Sequence, residues 1–360
     1  MNKILIVGNG FDRALGLKTS YSDFIIKVHK NFICESLKSS STQSKLFNIT
    51  GITSNSVIDH SLIKLINDSK SIKEIKEAYS SRTNKQLNYN HVFLENICNQ
   101  ISDKKWVDIE TEYFKALTRS YNRFYVQSKR KDPIQIKLLN ECLTNITEEL
   151  EGYLSYILDN FKITPDLVDR FTPLLKKCLG NIRQRNSRLL ILNFNYTDTL
   201  FQITNHLSSN YPSILSPEDL SKITFVNFHG QLNNPANQVI FGYGNDTSSI
   251  YYEMEQEDEN ELLKKIKSIH YPKTHNYSQL INFINQGGYS IDVLGHSLGL
   301  SDKTTLKTLF ESHPCQSIRI FNYNGLDEFE ERSMNIARIF DDKEKMRLLL
   351  KTYDPELKFP

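Results

Sequence analysis

The sequence predicts an α/β protein: a mostly parallel sheet covered by helices on both faces, with a large helical insertion after the first strand. Three observations carry this. The chain opens on a short apolar run, Ile4-Leu5-Ile6-Val7, that stops at glycine. From Ile58 to about Lys177 the apolar residues recur at helical spacing. From Arg188 onward short apolar runs alternate with helical patterns, as they do in a parallel sheet. A lone strand cannot stand in a helical region, so the first strand joins the later sheet. Residues 1–30 and 186–360 are therefore expected to form an α/β domain, and residues 31–185 a helical insertion.

In chain order, Gly8 and Gly10 let the backbone turn tightly and approach a ligand, and a helix starts near Phe11. Strand, glycine turn and helix together offer N–H groups to a phosphate. The same residues also fit a plain tight turn, because Arg13 stands where the third glycine of a dinucleotide fingerprint belongs. Ser20 is expected to cap a helix, with Asp23 at capping-box spacing and Tyr21, Phe24, Ile25 and Val28 at helical spacing. Ser36 to Ser56 is rich in Ser, Thr and Asn and reads as a loop. Leu62, Ile63 and Ile66 share one helix face, and Phe93, Leu94 and Ile97 another. A long stripe runs from Leu138 to Leu154. No strand is expected between Gly8 and Arg188.

Beyond Arg188, strands are expected at Arg188–Leu192, Ile223–Val226, Val239–Phe241, Ser290–Leu294 and Ile318–Phe321. The first strand should be flanked by those that begin near Leu189 and Ile223. Helices are expected at Asp198–Leu207, Glu259–Ile269, Tyr277–Asn285 and Asp302–Phe310.

Composition narrows the function. Lys and Arg (44) nearly balance Asp and Glu (42), giving net charge +2 and no electrostatic push toward nucleic acid or an acidic membrane. Cys34, Cys98, Cys142, Cys178 and Cys315 are scattered without a Cys-x-x-Cys pair, which argues against a zinc site and fits reduced thiols. No metal is expected. No signal-peptide pattern and no stretch long enough to span a bilayer is found, so a cytoplasmic protein is expected.

Polar clusters follow at least four predicted strands: Gly8-Asn9-Gly10-Phe11-Asp12, Asn193-Phe194-Asn195-Tyr196-Thr197-Asp198, His229-Gly230, and Gly295-His296-Ser297-Leu298-Gly299. In an open parallel sheet, ligands bind outside the carboxyl ends of the strands. Each cluster alone has a plainer reading. Asn195 and Asp198 fit helix caps, and His229 a turn histidine. Together they favour one polar ligand site. Gly295 to Gly299 also matches a Gly-x-Ser-x-Gly nucleophile elbow with Ser297 as nucleophile. A serine esterase would then need an acid and a histidine further on, and only Asp302, Glu311 and His313 are at hand.

At these residues the chain resembles the AbiH family of bacteriophage abortive-infection proteins. Besides the four clusters, the resemblance rests on Gly16-Leu17-Lys18-Thr19-Ser20-Tyr21-Ser22-Asp23-Phe24, Trp106-Val107-Asp108-Ile109-Glu110 and Phe241-Gly242-Tyr243-Gly244. It implies antiphage defence in which the infected cell stops growing or dies. A phage-derived trigger protein and a homo-oligomer are the partners such a role calls for.

More remotely, the motif order is similar to a Rossmann-like fold, the sirtuin-like one, whose members bind or hydrolyse NAD. That similarity implies a nucleotide ligand, NAD, met by Gly8, Asn9, Gly10, Phe11, Asp12, Tyr196, Asp198, Gly295 and Ser297. It implies Asn195 and His229 as catalytic residues, with Gly8 and Gly10 at the pyrophosphate and Ser297 at the adenosine half. Tyr196 and Thr197 separate Asn195 from Asp198, one residue more than in sirtuins, and the zinc cysteines of deacylases are absent. The expectation is therefore NAD hydrolysis at the nicotinamide–ribose bond, with a non-catalytic nucleotide sensor as the other reading.

Overall fold

The computed structural model describes residues 1–39, 41–51, 59–103, 107–128, 131–180, 182 and 187–359. The strands are β1 (Asn2–Val7), β2 (Phe47–Gly51), β3 (Lys85–Tyr89), β4 (Leu189–Asn193), β5 (Ile223–Asn227), β6 (Tyr289–Leu294) and β7 (Cys315–Phe321). The chain divides into two compact units.

The first unit comprises Met1–Lys18, Leu154–Tyr252 and Ile266–Pro360. It holds a five-stranded sheet in the order β5-β4-β1-β6-β7, with every neighbouring pair parallel. Counted along the chain, that order is third, second, first, fourth, fifth, so its direction reverses between β1 and β6. A reversal of this kind opens a crevice at the carboxyl ends of the two strands.

The opening strand is central because its apolar residues serve both faces. Ile4 and Ile6 join Leu190, Leu192, Ile291, Val293 and Ile318 on one side. There they pack with Leu280 and Phe283 of helix Asn276–Ile284 and Leu306 and Phe310 of helix Lys303–Glu311. Leu5 and Val7 join Leu189 and Ile191 on the other side. Their partners are Phe171 and Leu174 of helix Pro165–Leu179 and Leu200, Ile203 and Leu207 of helix Thr199–Asn210. Burial on both faces is why these strands read as continuous apolar runs.

One charged group interrupts this apolar sheet. Lys3 of β1 is buried, with Nζ 3.0 Å from Asp292 Oδ2 of β6. Asp292 also accepts two 2.7 Å hydrogen bonds from Arg319 of β7.

Three expectations are corrected here. The strands flanking β1 are β4 and β6, not β4 and β5; β5 lies one place further out beside β4. Val239–Phe241 is not a strand: Ile240 donates its N–H to His229 O at 2.8 Å, and no ladder continues from it. The helix expected at Glu259–Ile269 is broken into a 3-10 turn, Asn260–Leu262, and a short helix, Lys267–His270.

The second unit comprises Thr19–Tyr153 and Glu253–Lys265. Its helices include Tyr21–Ser39, Ile72–Thr83 and Ile109–Tyr121. Ser20 caps the first, accepting from Asp23 N at 3.1 Å. The expectation of no strand in this region fails at β2 and β3, which pair antiparallel with Phe47 opposite Tyr89. The loop expected from Ser36 to Ser56 likewise holds the end of a helix and β2; its residues 40 and 52–56 lie outside the described residues. This two-stranded sheet hides because its strands lie far apart in the chain and its outward positions are polar, Asn48 and Thr50 on β2 and Gln86 and Asn88 on β3. Asn48 and Asn88 hydrogen-bond to Asn90 and Thr50, while Phe47, Ile49 and Leu87 turn inward.

Candidate functional site at the carboxyl edge of the sheet

The loops after β1 and β6 interlock at the reversal point. Gly10 donates its N–H to Gly295 O at 2.8 Å, and Gly8 donates to Leu294 O at 3.0 Å. The backbones are so close that a Cβ on Gly10 would stand 2.7 Å from Gly295 Cα, and one on Gly8 would stand 2.5 Å from His296 Cα. Gly295 itself sits at φ +69°, a conformation that favours glycine. The glycines expected to cradle a pyrophosphate thus spend their N–H groups on each other's loops; what they supply is close approach.

Asp12, on the short helix Asn9–Ala14, ties the β4 loop to this pair. It accepts hydrogen bonds at 2.5 Å from both Thr197 Oγ1 and Thr199 Oγ1. Burial pushes its carboxyl up to about 6, against the lowering effect of the two hydroxyls. Asn193 braces the same loop, donating to Thr197 O at 2.7 Å and Asn227 Oδ1 at 3.0 Å and accepting from Asn195 N at 3.1 Å. The effect is to hold Asn195 in place by its backbone. The Asn195 residue is buried, yet its side-chain amide has no hydrogen-bond partner among the described residues.

His229, just past β5, is 3% exposed. Its Nε2 lies 3.2 Å from Asp302 Oδ1 but off the axis of a hydrogen bond, so it is left without a bonding partner. Burial first, then the Lys267 charge, pulls the imidazole down to about 4; Asp302 acts in the opposite direction. Lys267, fully buried, donates to the same Asp302 Oδ1 at 2.8 Å. On the other oxygen, His296 Nε2 approaches Asp302 Oδ2 at 3.4 Å. Burial alone would raise Asp302, but Lys267 and then His229 hold it well below the usual carboxylate range. The ring of Phe194 stands edge-on to both imidazoles, with centroids 5.0 Å from His229 and 4.5 Å from His296.

The structure thus links the loops after β1, β4, β5 and β6 through Gly8, Gly10, Asp12, Phe194, His229 and Gly295. Asn9 and Phe11 sit in the short helix, and Phe11 faces the core against Phe171 rather than a ligand. Tyr196 reaches Ile240 O at 3.4 Å, and Asp198 stands at the start of helix Thr199–Asn210, bonded to Gln202 at 2.7 Å. Ser297 is half-buried, and its carbonyl accepts from Asn335 at 2.9 Å.

The nucleophile elbow is not formed. Ser297 is followed by Leu298 at φ +56° and a 3-10 turn, Leu300–Asp302, before helix Lys303–Glu311 begins. His313 lies at the opposite edge of the sheet, beside the start of β6, where Tyr289 N donates to Pro314 O. Asp302 itself is committed to Lys267. Sequence reasoning passed over Lys267 and His296 as part of a helix and as the filler of a Gly-x-Ser pattern. Only the proximity of both to Asp302 marks them.

Among the described residues, no group of three or more His, Cys, Asp or Glu side chains is arranged to hold a metal ion, and no helix is long and apolar enough to cross a membrane. The five cysteines are free and buried.

Fold and site together define an α/β protein with a parallel sheet and a buried polar cluster at the carboxyl edge. The chain belongs to the bacteriophage abortive infection family AbiH, whose model matches residues 4–323. No curated protein matches it. The family indicates a role in phage abortive infection. Of the stretches that carry the resemblance, Trp106 lies outside the described residues, and Asp108 caps helix Ile109–Tyr121 in the second unit.

Proposed function

We propose that the carboxyl-edge cluster is a Rossmann-like, sirtuin-like nucleotide pocket that binds NAD and hydrolyses its nicotinamide–ribose bond, and that this reaction is how the protein acts in abortive infection. The observation that carries the reading is the buried polar cluster of His229, His296, Lys267 and Asp302 just past β5 and β6, with Asn195 held by its backbone in the β4 loop. The strand order supports the same reading, because doubly wound sheets that bind dinucleotides share it.

Cleavage of the nicotinamide–ribose bond leaves a cationic, oxocarbenium-like ribose that water attacks. Asn195 orients that water, a positioning effect. His229 is uncharged at neutral pH and takes the water's proton as general base. Asp12 is occupied by Thr197 and Thr199, which leaves Asp198 as the carboxylate for the developing positive charge. Gly8, Gly10 and Gly295 act by letting the loops close on one another, and the Ser297 hydroxyl contacts the adenosine half.

The test is to incubate the purified full chain with NAD and separate nicotinamide and ADP-ribose by chromatography. Turnover that falls to a small residual rate in His229→Ala supports hydrolysis. Saturable NAD binding without products would favour the non-catalytic sensor, and neither binding nor turnover would end the reading.

A further inference from the structure

The proposed reaction leaves unassigned a buried charged group that the sequence did not pick out. Lys267, His229 and His296 converge on one carboxylate, Asp302, from three separate parts of the chain. Such a convergence is costly: burying a carboxylate and an ammonium costs several kcal/mol each unless they are paired and bonded. A lysine and aspartate alone would satisfy each other. The two imidazoles need another explanation.

The tautomers supply it. His296 Nδ1 accepts a 2.9 Å hydrogen bond from Leu298 N–H, so its proton is on Nε2, the nitrogen that faces Asp302. His296 is thereby fixed as a brace. For His229, Nε2 lies 3.2 Å from Asp302 Oδ1, off the axis of a hydrogen bond but close enough that the carboxylate repels a bare lone pair and favours N–H there; Nε2 therefore carries the proton. Its Nδ1 then holds the free lone pair, and among the described residues no donor is bonded to it. A carboxylate behind one nitrogen of a histidine fixes which nitrogen can act.

Resting on the hydrolase reading for its substrate, we propose that Asp302 is the positioning residue of the reaction: it holds the His229 proton on Nε2 and so makes Nδ1 the atom that takes the proton from water. Lys267 shares the oxygen that His229 Nε2 faces, and so limits how tightly Asp302 can hold it. The charged and titratable groups facing His229 are then Asp302 and Lys267, from the 3-10 turn and the helix after Ile266, and His296, from the β6 loop.

Two measurements test this. The first needs no substrate. Long-range proton–nitrogen correlation spectra of the 15N-labelled full chain at pH 7 report the protonated nitrogen of each imidazole, His229 being assigned by loss of its signals in His229→Gln. The expected result is Nε2–H with bare Nδ1; a His229 ring with its proton on Nδ1 overturns the proposal, whatever the protein does to NAD. The second is NAD turnover against pH. Asp302→Asn should lower kcat about a hundredfold with KM unchanged, and should move the acid limb to lower pH, since it removes a charge that raises His229. Adding Asp302→Asn to His229→Ala should cost nothing more, because the two act as one unit. Equal, additive losses in the two backgrounds would overturn the positioning role. No turnover in the wild type, with Nε2–H observed, would count against the hydrolase reading while leaving the Asp302–His229 arrangement in place.

Discussion

Replacing Asp12 with Asn should stabilise the protein at neutral pH, and the gain should vanish in acid. The carboxyl is 1% exposed and pushed by burial from 3.8 up to about 6. An acid whose folded value lies above its unfolded one contributes stability that is fully present below 3.8 and lost as pH rises through about 6. The gap corresponds to about 3 kcal/mol at pH 7.5. Asn is a neutral mimic of the protonated acid. Exchanging one oxygen for NH2 between Thr197 and Thr199 adds a pH-independent offset of about 1 kcal/mol. The wild-type curve alone does not isolate this. His29 and His229 are both pulled from 6.5 down to about 4 by burial, and they contribute stability above 6.5 that is lost as pH falls toward 4. Those slopes oppose the Asp12 slope over the same window, and they cancel in the difference between variant and wild type. Urea unfolding of both proteins, followed by circular dichroism from pH 4 to 7.5, measures that difference. It should grow by about 2.4 kcal/mol in favour of the variant as pH rises across that window. A flat difference, or one that grows in favour of the wild type, refutes the reasoning.

Further outcomes follow from the same geometry. Gly10→Ala places a Cβ against the Gly295 backbone at 2.7 Å and should cost about 1–3 kcal/mol, read as a lower urea midpoint; an unchanged midpoint means the loops do not interlock. Asp292→Asn removes the anion between buried Lys3 and Arg319 and should cost about 3–5 kcal/mol in the same assay. Asn195→Ala should leave stability within about 0.5 kcal/mol, because its amide bonds nothing in the protein, yet abolish NAD hydrolysis; a clear loss of stability would make the amide structural. Ser297→Ala should keep turnover within about tenfold, the scale of one neutral hydrogen bond, whereas loss by several orders of magnitude would restore a nucleophilic serine.

The three central strands of the main sheet, β1, β4 and β6, were legible because burial on both faces leaves an apolar run that ends at a glycine or polar turn. Ile4-Leu5-Ile6-Val7 before Gly8 and Val293-Leu294 before Gly295 are of this kind. Val239-Ile240-Phe241 misled for a related reason. Ile240 and Phe241 are buried, but the backbone pays its hydrogen bond to His229 O instead of a neighbouring strand, and composition does not distinguish the two. β2 and β3 were missed because two five-residue strands separated by two helices, with polar residues outside, carry too few apolar residues to signal period two. At the site, the glycine loops and Asn195 and His229 stood out by residue type at strand ends. Lys267 did not, because a charged residue in a helical stretch reads as solvated, and Asp302 stood out only as the acid of an esterase; their burial together depends on a meeting across the fold that no local spacing encodes.

The buried Lys3–Asp292 pair bears on how the chain is made. Lys3 pairs with Leu189 of β4 and Ser290 of β6, so the first strand emerges long before either neighbour exists. At about 5–20 residues per second, its wait for β4 is on the order of ten to forty seconds. During that time Ile4-Leu5-Ile6-Val7 is an unpaired apolar strand, the kind of segment that recruits other chains. Lys3 then acts as a gatekeeper charge, repelling a second copy in register. Once Asp292 arrives, the same lysine is neutralised inside the finished sheet. One residue guards the nascent strand against strangers and later locks it to the partner it waited for.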